Sequence, residues 1–233
     1  MLHSLHNMVG YGMMARDGEI GNVEEFYFDD QSWIIRYLIL KTGHWLNGRR
    51  LLISPVSILN RSFGNGPFLV NLSKEQVRFS PDINTDKPVS RQQEVELYGH
   101  YAWQGYWESC FYEGGLEEVV DTSAGIGKEI ADEQSLHKKL PVNIHLRSSL
   151  RVTGYPLHAT DGEIGQIKDL VMDDATWQLS YLIVSRQALY GGGHIRIPIN
   201  HVKQMQWNDS EFYIKGSADS IKDMETQNDP AFI

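Results

Sequence analysis

Two pairs of adjacent aspartates, Asp29-Asp30 and Asp173-Asp174, are the groups whose type and spacing best suit cation chemistry in this 233-residue chain. A hard divalent cation takes carboxylate oxygens. The same carboxylates at a turn also accept bonds from backbone N–H groups two residues on, so a local structural role competes with the metal one. Glu19 and Glu163 stand just after turns and are expected to be solvated. His3 and His6 have His-x-x-His spacing, but zinc takes three or four ligands at defined geometry and no third stands nearby. The single cysteine, Cys110, excludes a thiolate zinc set. Cys110 also follows His100 in sequence, yet no third group is identifiable to orient a nucleophile and base. Gly125-Ile126-Gly127-Lys128 resembles a phosphate loop only in part, because Thr122 stands where the first glycine belongs and Glu129 where Ser or Thr belongs. His44 and His194 lie in or beside glycine-containing loops and could titrate near neutral pH, with exposed loop histidines as the plainer reading. No catalytic, cofactor-binding or metal-binding residue is therefore assigned, and the chain is expected to be no enzyme and to carry no cofactor.

The elements that would position such groups are written twice. Residues 4–40 align without a gap on residues 148–184, and 15 of the 37 positions are identical. The identities include Asp17 to Gly21 with Asp161 to Gly165, Trp33 with Trp177, and Tyr37 to Ile39 with Tyr181 to Ile183. Such self-similarity marks an internal duplication. Each copy has Asp-Gly between short apolar segments, a hairpin signal. The following strand, 20–28 and 164–172, keeps its apolar residues on one parity and then switches: Ile20 to Val23 to Phe26 and Phe28, and Ile164 to Ile167 to Leu170 and Met172. A one-residue slip of this kind predicts a β-bulge at 23–25 and at 167–169. The aspartate pairs begin a second hairpin, whose return strand alternates Trp33, Ile35, Tyr37, Ile39 and Trp177, Leu179, Tyr181, Ile183. A strand ending in Pro55 or Pro198 follows, then short strands at 68–72 and 212–214. Strands this short, with turns this frequent, predict a mainly all-β fold of two small antiparallel barrels.

Each copy is about 80 residues, enough for an independent but modest core. The expected units are residues 1–80, a linker of 81–144 with a short helix and an aromatic segment, 145–222, and a polar tail of 223–233. Formal net charge is −9, which argues against general nucleic-acid binding and against docking on anionic lipid. No stretch approaches a membrane span. The first residues lack the pattern of a signal peptide. One cysteine fits a reducing compartment, so a cytoplasmic location is expected.

The Asp-Gly-Glu-Ile-Gly turn, the Asp-Asp-x-x-Trp hairpin with Tyr-Leu-Ile, and the Ile-Ser-Pro or Ile-Pro strand resemble the PRC-barrel family, whose type member is the cytoplasmic domain of the photosynthetic reaction-centre H subunit. The resemblance covers about residues 5–80 and 145–220, and the tail after the first copy resembles stand-alone bacterial tandem-barrel proteins. It implies a small β-barrel that serves as an interaction and assembly module. A role in electron transfer or proton delivery would rest on that resemblance alone.

The copies differ most outside the hairpins. The loops 42–49 and 186–193 carry Trp45 with His44 in one and Tyr190, with His194 just after, in the other. Tyr101, Trp103, Tyr106, Trp107, Phe111 and Tyr112 crowd the linker. That segment either packs onto the barrels or forms a partner or dimer surface, where large amphipathic rings dominate. Ser90 with Gln93 predicts a capped helix start, and a further short helix is expected at 128–137. The reading is a scaffold or adaptor binding a protein partner, itself included as a homodimer. The alternative is a small-ligand or metal-binding regulatory protein using the cleft between the barrels.

Overall fold

The computed structural model describes residues 1–59, 66–81, 89, 91–105, 145–187, 193–207, 209–218 and 220. The first half holds β1 (Leu2–Ser4), α1 (Leu5–Met8), β2 (Gly12–Ala15), β3 (Gly18–Asp29), β4 (Ile35–Thr42), β5 (Arg50–Ile53), β6 (Phe68–Leu69), α2 (Lys74–Arg78) and α3 (Arg91–Tyr101). The second half repeats the order with one strand, β12, added: β7 (Leu146–Ser148), α4 (Ser149–Val152), β8 (Pro156–Ala159), β9 (Gly162–Asp173), β10 (Leu179–Arg186), β11 (His194–Pro198), β12 (Val202–Gln206) and β13 (Glu211–Ile214).

Two sheets result, and the fold is mainly β as expected. One runs β5-β4-β3-β2-β6, the other β11-β10-β9-β8-β13-β12. Neither is wholly antiparallel, which corrects the expectation: β2 pairs β6 in parallel and β8 pairs β13 in parallel. The reason is chain order. β3, β4 and β5 are laid down as successive hairpins on one side of β2, and the chain then returns to β2's free edge. Residues after β5 also reach β6, with Leu59 N donating to Leu69 O at 2.7 Å and Asn71 N to Ser57 O at 2.7 Å.

The parity slips read from the sequence are bulges. Val23 faces Leu40 while Glu25 faces Ile39, leaving Glu24 as the extra residue. In the second half Ile167 faces Val184 while Asp169 faces Ile183, leaving Lys168. Inward residues on both sides of each slip are fully buried, Ile20, Val23, Phe26 and Phe28 in β3 and Ile164, Ile167, Leu170 and Met172 in β9. The bulge bends the long strand so that one residue set faces the core throughout.

The first strand of each half pairs with the opposite half. β1 lies antiparallel to the end of β9, with Leu2 facing Asp173 and Ser4 facing Val171. β7 lies likewise on the end of β3, with Leu146 facing Asp29 and Ser148 facing Tyr27. The same serine then caps the next helix in both cases: Ser4 Oγ accepts from Asn7 N at 3.1 Å and Ser148 Oγ from Arg151 N at 3.1 Å. The division at 80 and 145 therefore separates the repeats in sequence but not in sheet membership. Buried side chains from both halves form one continuous core.

Gly21 shows how tightly the strands close on one another at the first turn. It sits at φ +151°, and a Cβ there would lie 2.1 Å from Lys41 O. At Gly165 the corresponding distance is 2.0 Å, to Ser185 O. Backbone cannot yield as a side-chain tip can, so Gly21→Ala is expected to cost about 3 kcal/mol or more. Urea unfolding checks this, with Gly154→Ala as a comparison free of any contact within 4 Å but still at positive φ.

Candidate functional site

The aspartate pairs divide their work. The first of each pair shapes its own turn: Asp29 Oδ1 accepts from Gln31 N at 2.9 Å and Ser32 N at 2.8 Å, and Asp173 Oδ1 accepts from Ala175 N at 3.0 Å. The second reaches across to the exchanged strand. Arg147 Nε donates to Asp30 Oδ2 at 2.6 Å, and His145 Nδ1 lies 3.0 Å from Oδ1. Asp174 holds the Met1 ammonium, and His3 Nε2 lies 3.1 Å from its Oδ2. Both second aspartates are buried. Sequence reasoning found the turn role and missed the cross-half one. Among the described residues no three His, Cys, Asp or Glu side chains are placed to hold a metal ion.

The two turns that follow meet face to face. Ile35 N donates to Trp177 O at 2.9 Å and Leu179 N to Trp33 O at 2.7 Å. The indoles cross over: Trp33 packs on Phe212 of the second half, and Trp177 on Phe68 of the first, with centroids 6.4 Å and 6.3 Å apart. Both tryptophans sit at positive φ, +58° and +59°, a region other than glycine seldom adopts.

Beside this joint lies an open cleft of about 280 Å³ whose walls come from both halves. Ile34, Arg36, Ser54, Val56 and Tyr98 line it from the first half, Thr176 and Trp177 from the second. Ser54 and Tyr98 are almost wholly buried, with their hydroxyls 3.4 Å apart. α3 carries Tyr98 there. That helix is fixed by Glu94, fully buried, which accepts from Tyr37 OH at 2.6 Å, and by His100, whose Nε2 lies 2.7 Å from Gln76 O. Burial raises the Tyr98 phenol above its ordinary value and pushes that of Tyr101 up to about 12. A second hollow, about 210 Å³, lies at the bulge, lined by Glu24, Glu25, Arg50, Ser148 and Arg151 among others.

The residues singled out from sequence are scattered. Trp45 is half-buried, and its Nε1 donates to Ile20 O at 3.0 Å, so the indole is tied to its own sheet. Its loop is further held by Arg49, which donates to Ser80 O at 2.8 Å. His44 and His194 are exposed, on the β4–β5 and β10–β11 hairpins of different sheets. Trp103 stacks on Tyr101 at 4.4 Å and meets Tyr98 edge-on at 5.4 Å. Tyr106, Trp107, Phe111, Cys110 and Tyr190 lie outside the described residues, as do Ser90 and the expected helix at 128–137. α3 itself starts where Gln93 suggested. The cleft residues were not foreseen, although Arg36 against Ser180 was visible as a mismatch between the repeats.

A PRC-barrel domain is found at residues 2–77. No curated protein matches the chain. No helix among the described residues is long and apolar enough to cross a membrane.

Charge at the joint gives a pH dependence. Burial acts to raise the Asp174 carboxyl, but the bonds from the Met1 ammonium and His3 outweigh it and hold it below its ordinary value. The hydrogen bond from Arg50 likewise lowers Glu24. A carboxyl lowered in the folded state contributes stability above its unfolded value, and this is lost as pH falls through the folded one. Stability is thus expected to fall below about pH 4, with Asp174→Asn flattening part of the slope in denaturation curves taken between pH 2 and 7. Glu25 has the opposite sign, because burial raises its carboxyl. Glu25→Gln should therefore raise the Tm at pH 7 and lose that advantage in acid. Asp30→Asn, which leaves Arg147 facing a neutral amide, is expected to cost about 2 kcal/mol in urea unfolding at pH 7.

Proposed function

We propose that the chain is a non-enzymatic scaffold or adaptor built of two PRC-barrel modules, which binds a protein partner, a second copy of itself included, in the cytoplasm. The PRC-barrel domain at residues 2–77 supports an interaction module. The repeated element order and the shared residues support reading the second half as another. The observation that carries the proposal is the reciprocal strand exchange, which holds two modules at one fixed separation and orientation. A scaffold works by such fixed presentation, because surfaces that need no ordering bind at lower entropic cost. Apolar side chains available to a partner include Phe79, 67% exposed, and Leu59, 60% exposed. The net charge of −9 disfavours nucleic acid as that partner.

The test is chemical cross-linking of the full chain at native abundance in its own cells, with sedimentation of the purified chain. One protein, or a second copy, is expected in stoichiometric amounts. Phe79→Asp with Leu59→Asp is expected to weaken its capture about ten-fold or more at unchanged Tm. A chain that sediments at 26.6 kDa and cross-links to no protein defeats the proposal.

A further inference from the structure

We propose that the cleft at the joint is a binding site for a small monocarboxylate with an apolar, ring-sized body, its carboxylate read by Arg36 and its body held against Trp177, Ile34 and Val56.

The argument begins with the duplication, which supplies an internal control. The two halves fold alike, so a residue the fold itself requires should have a counterpart of similar character in the other copy. Around the cleft this fails in one direction. Arg36 corresponds to Ser180 at the constant offset of the repeat, and Ser54 corresponds to Pro198, because Leu38 faces Ile53 in one sheet where Leu182 faces Ile197 in the other. Pro198 carries no hydroxyl, so the architecture does not require one at that place. The first half instead puts a hydroxyl there, 2% exposed, and burying a hydroxyl is unfavourable unless it is partnered. Its neighbour is the Tyr98 hydroxyl at 3.4 Å, delivered by α3, an element for which the described residues of the second half show no counterpart. Three polar groups absent from the matching positions thus converge on one cleft.

Their chemistry selects the ligand. Arg36 is the one charged side chain among the residues lining the cleft, and a guanidinium binds carboxylate through paired N–H donors. Ser54 and Tyr98 add hydroxyls that can donate to the same oxygens. The remaining wall is apolar and aromatic, which favours burial of a hydrophobic body. A volume of about 280 Å³ admits one small molecule and is too small for a folded segment.

The proposal stands independently of the adaptor reading, because it concerns a different surface and a different class of ligand. It is tested by titrating the full chain with 2-naphthoate and with neutral 2-naphthamide, following backbone amides by NMR. Naphthoate is expected to shift the amides of Ile34, Val56 and Thr176 and to bind about ten-fold tighter than naphthamide. Arg36→Gln should abolish that preference. Val56→Trp, a change at a position 64% exposed on the rim, should block both compounds while leaving the Tm unchanged. Equal binding of the two compounds overturns the proposal. So do undiminished binding by both variants, an absence of shifts, or equal shifts at Asn200, the counterpart of Val56 in the second half, which would show partitioning onto both halves alike.

Discussion

Everything in this molecule hangs on two three-residue strands, each paired with the wrong half. β9 is 12 residues long, but β8 covers only its beginning, facing residues 162–166. Its far end would be a bare edge, with unpaired N–H and C=O groups open to any passing strand. β1 closes that edge, and β7 closes the equivalent edge of β3. Neither half can complete its own sheet. The pairing of Leu2 with Asp173 joins residues more than 170 positions apart, so the chain must have traversed both halves before the joint can form. The ordering entropy of so long a closure is recovered by the core that the two halves then share.

The tryptophans make the cost of the joint visible. Trp33 and Trp177 hold left-handed backbone conformations that usually cost of order 1–3 kcal/mol each. What offsets this is the placement it gives the rings. Each turn points its indole onto an aromatic residue of the opposite half, while its carbonyl accepts an N–H from the other turn. An aromatic pair contributes beyond its buried area, and each turn's strain is therefore compensated by the other half. The second aspartates act in the same sense, since each buried carboxylate is partnered from the opposite half, Asp30 by Arg147 and Asp174 by the Met1 ammonium, rather than by its own sheet. The joint is self-consistent only when whole, which makes it a rigid coupling.

Much of this was legible in the chain and some of it could not be. The bulges at Glu24 and Lys168 show in the sequence because a bulge moves every later side chain by one position, and the apolar parity records that slip. The hairpins show because Asp-Gly and Asp-Asp turns are local. β1 and β7 do not show, because three residues carry no period and nothing in them states which edge they will cover. The identity of Ser4 and Ser148 was the available signal, and its reason is double. Each serine caps a short helix and also reaches a carboxylate group on the opposite long strand, Asp169 or Glu25. Asp30 was half-read, since a local turn explains one aspartate of the pair and leaves the second without a task. The parallel pairing of β6 with β2 and of β13 with β8 was missed because it depends on where a later segment returns, a property of the whole sheet.

A duplicated fold separates requirement from addition more sharply than a single copy can. Where the copies agree, as at Gly21 and Gly165, the agreement is explained by a backbone contact that no Cβ can enter. Where they agree in character but not identity, as at Phe26 and Leu170, the core asks only for apolar volume at that place. The informative positions agree in neither. Arg36 against Ser180 and Ser54 against Pro198 change charge and polarity at equivalent places in equivalent sheets, so the shared fold does not require them. α3, tied down by a fully buried glutamate on Tyr37, brings Tyr98 to the same spot. Tyr181, the counterpart of Tyr37, is only half-buried, and no such helix covers it among the described residues. The first half thus devotes a buried acid, a helix and two hydroxyls to one side of a joint that is otherwise nearly symmetric. That asymmetry is the physical ground for seeking ligand chemistry at the cleft rather than along the repeated strands.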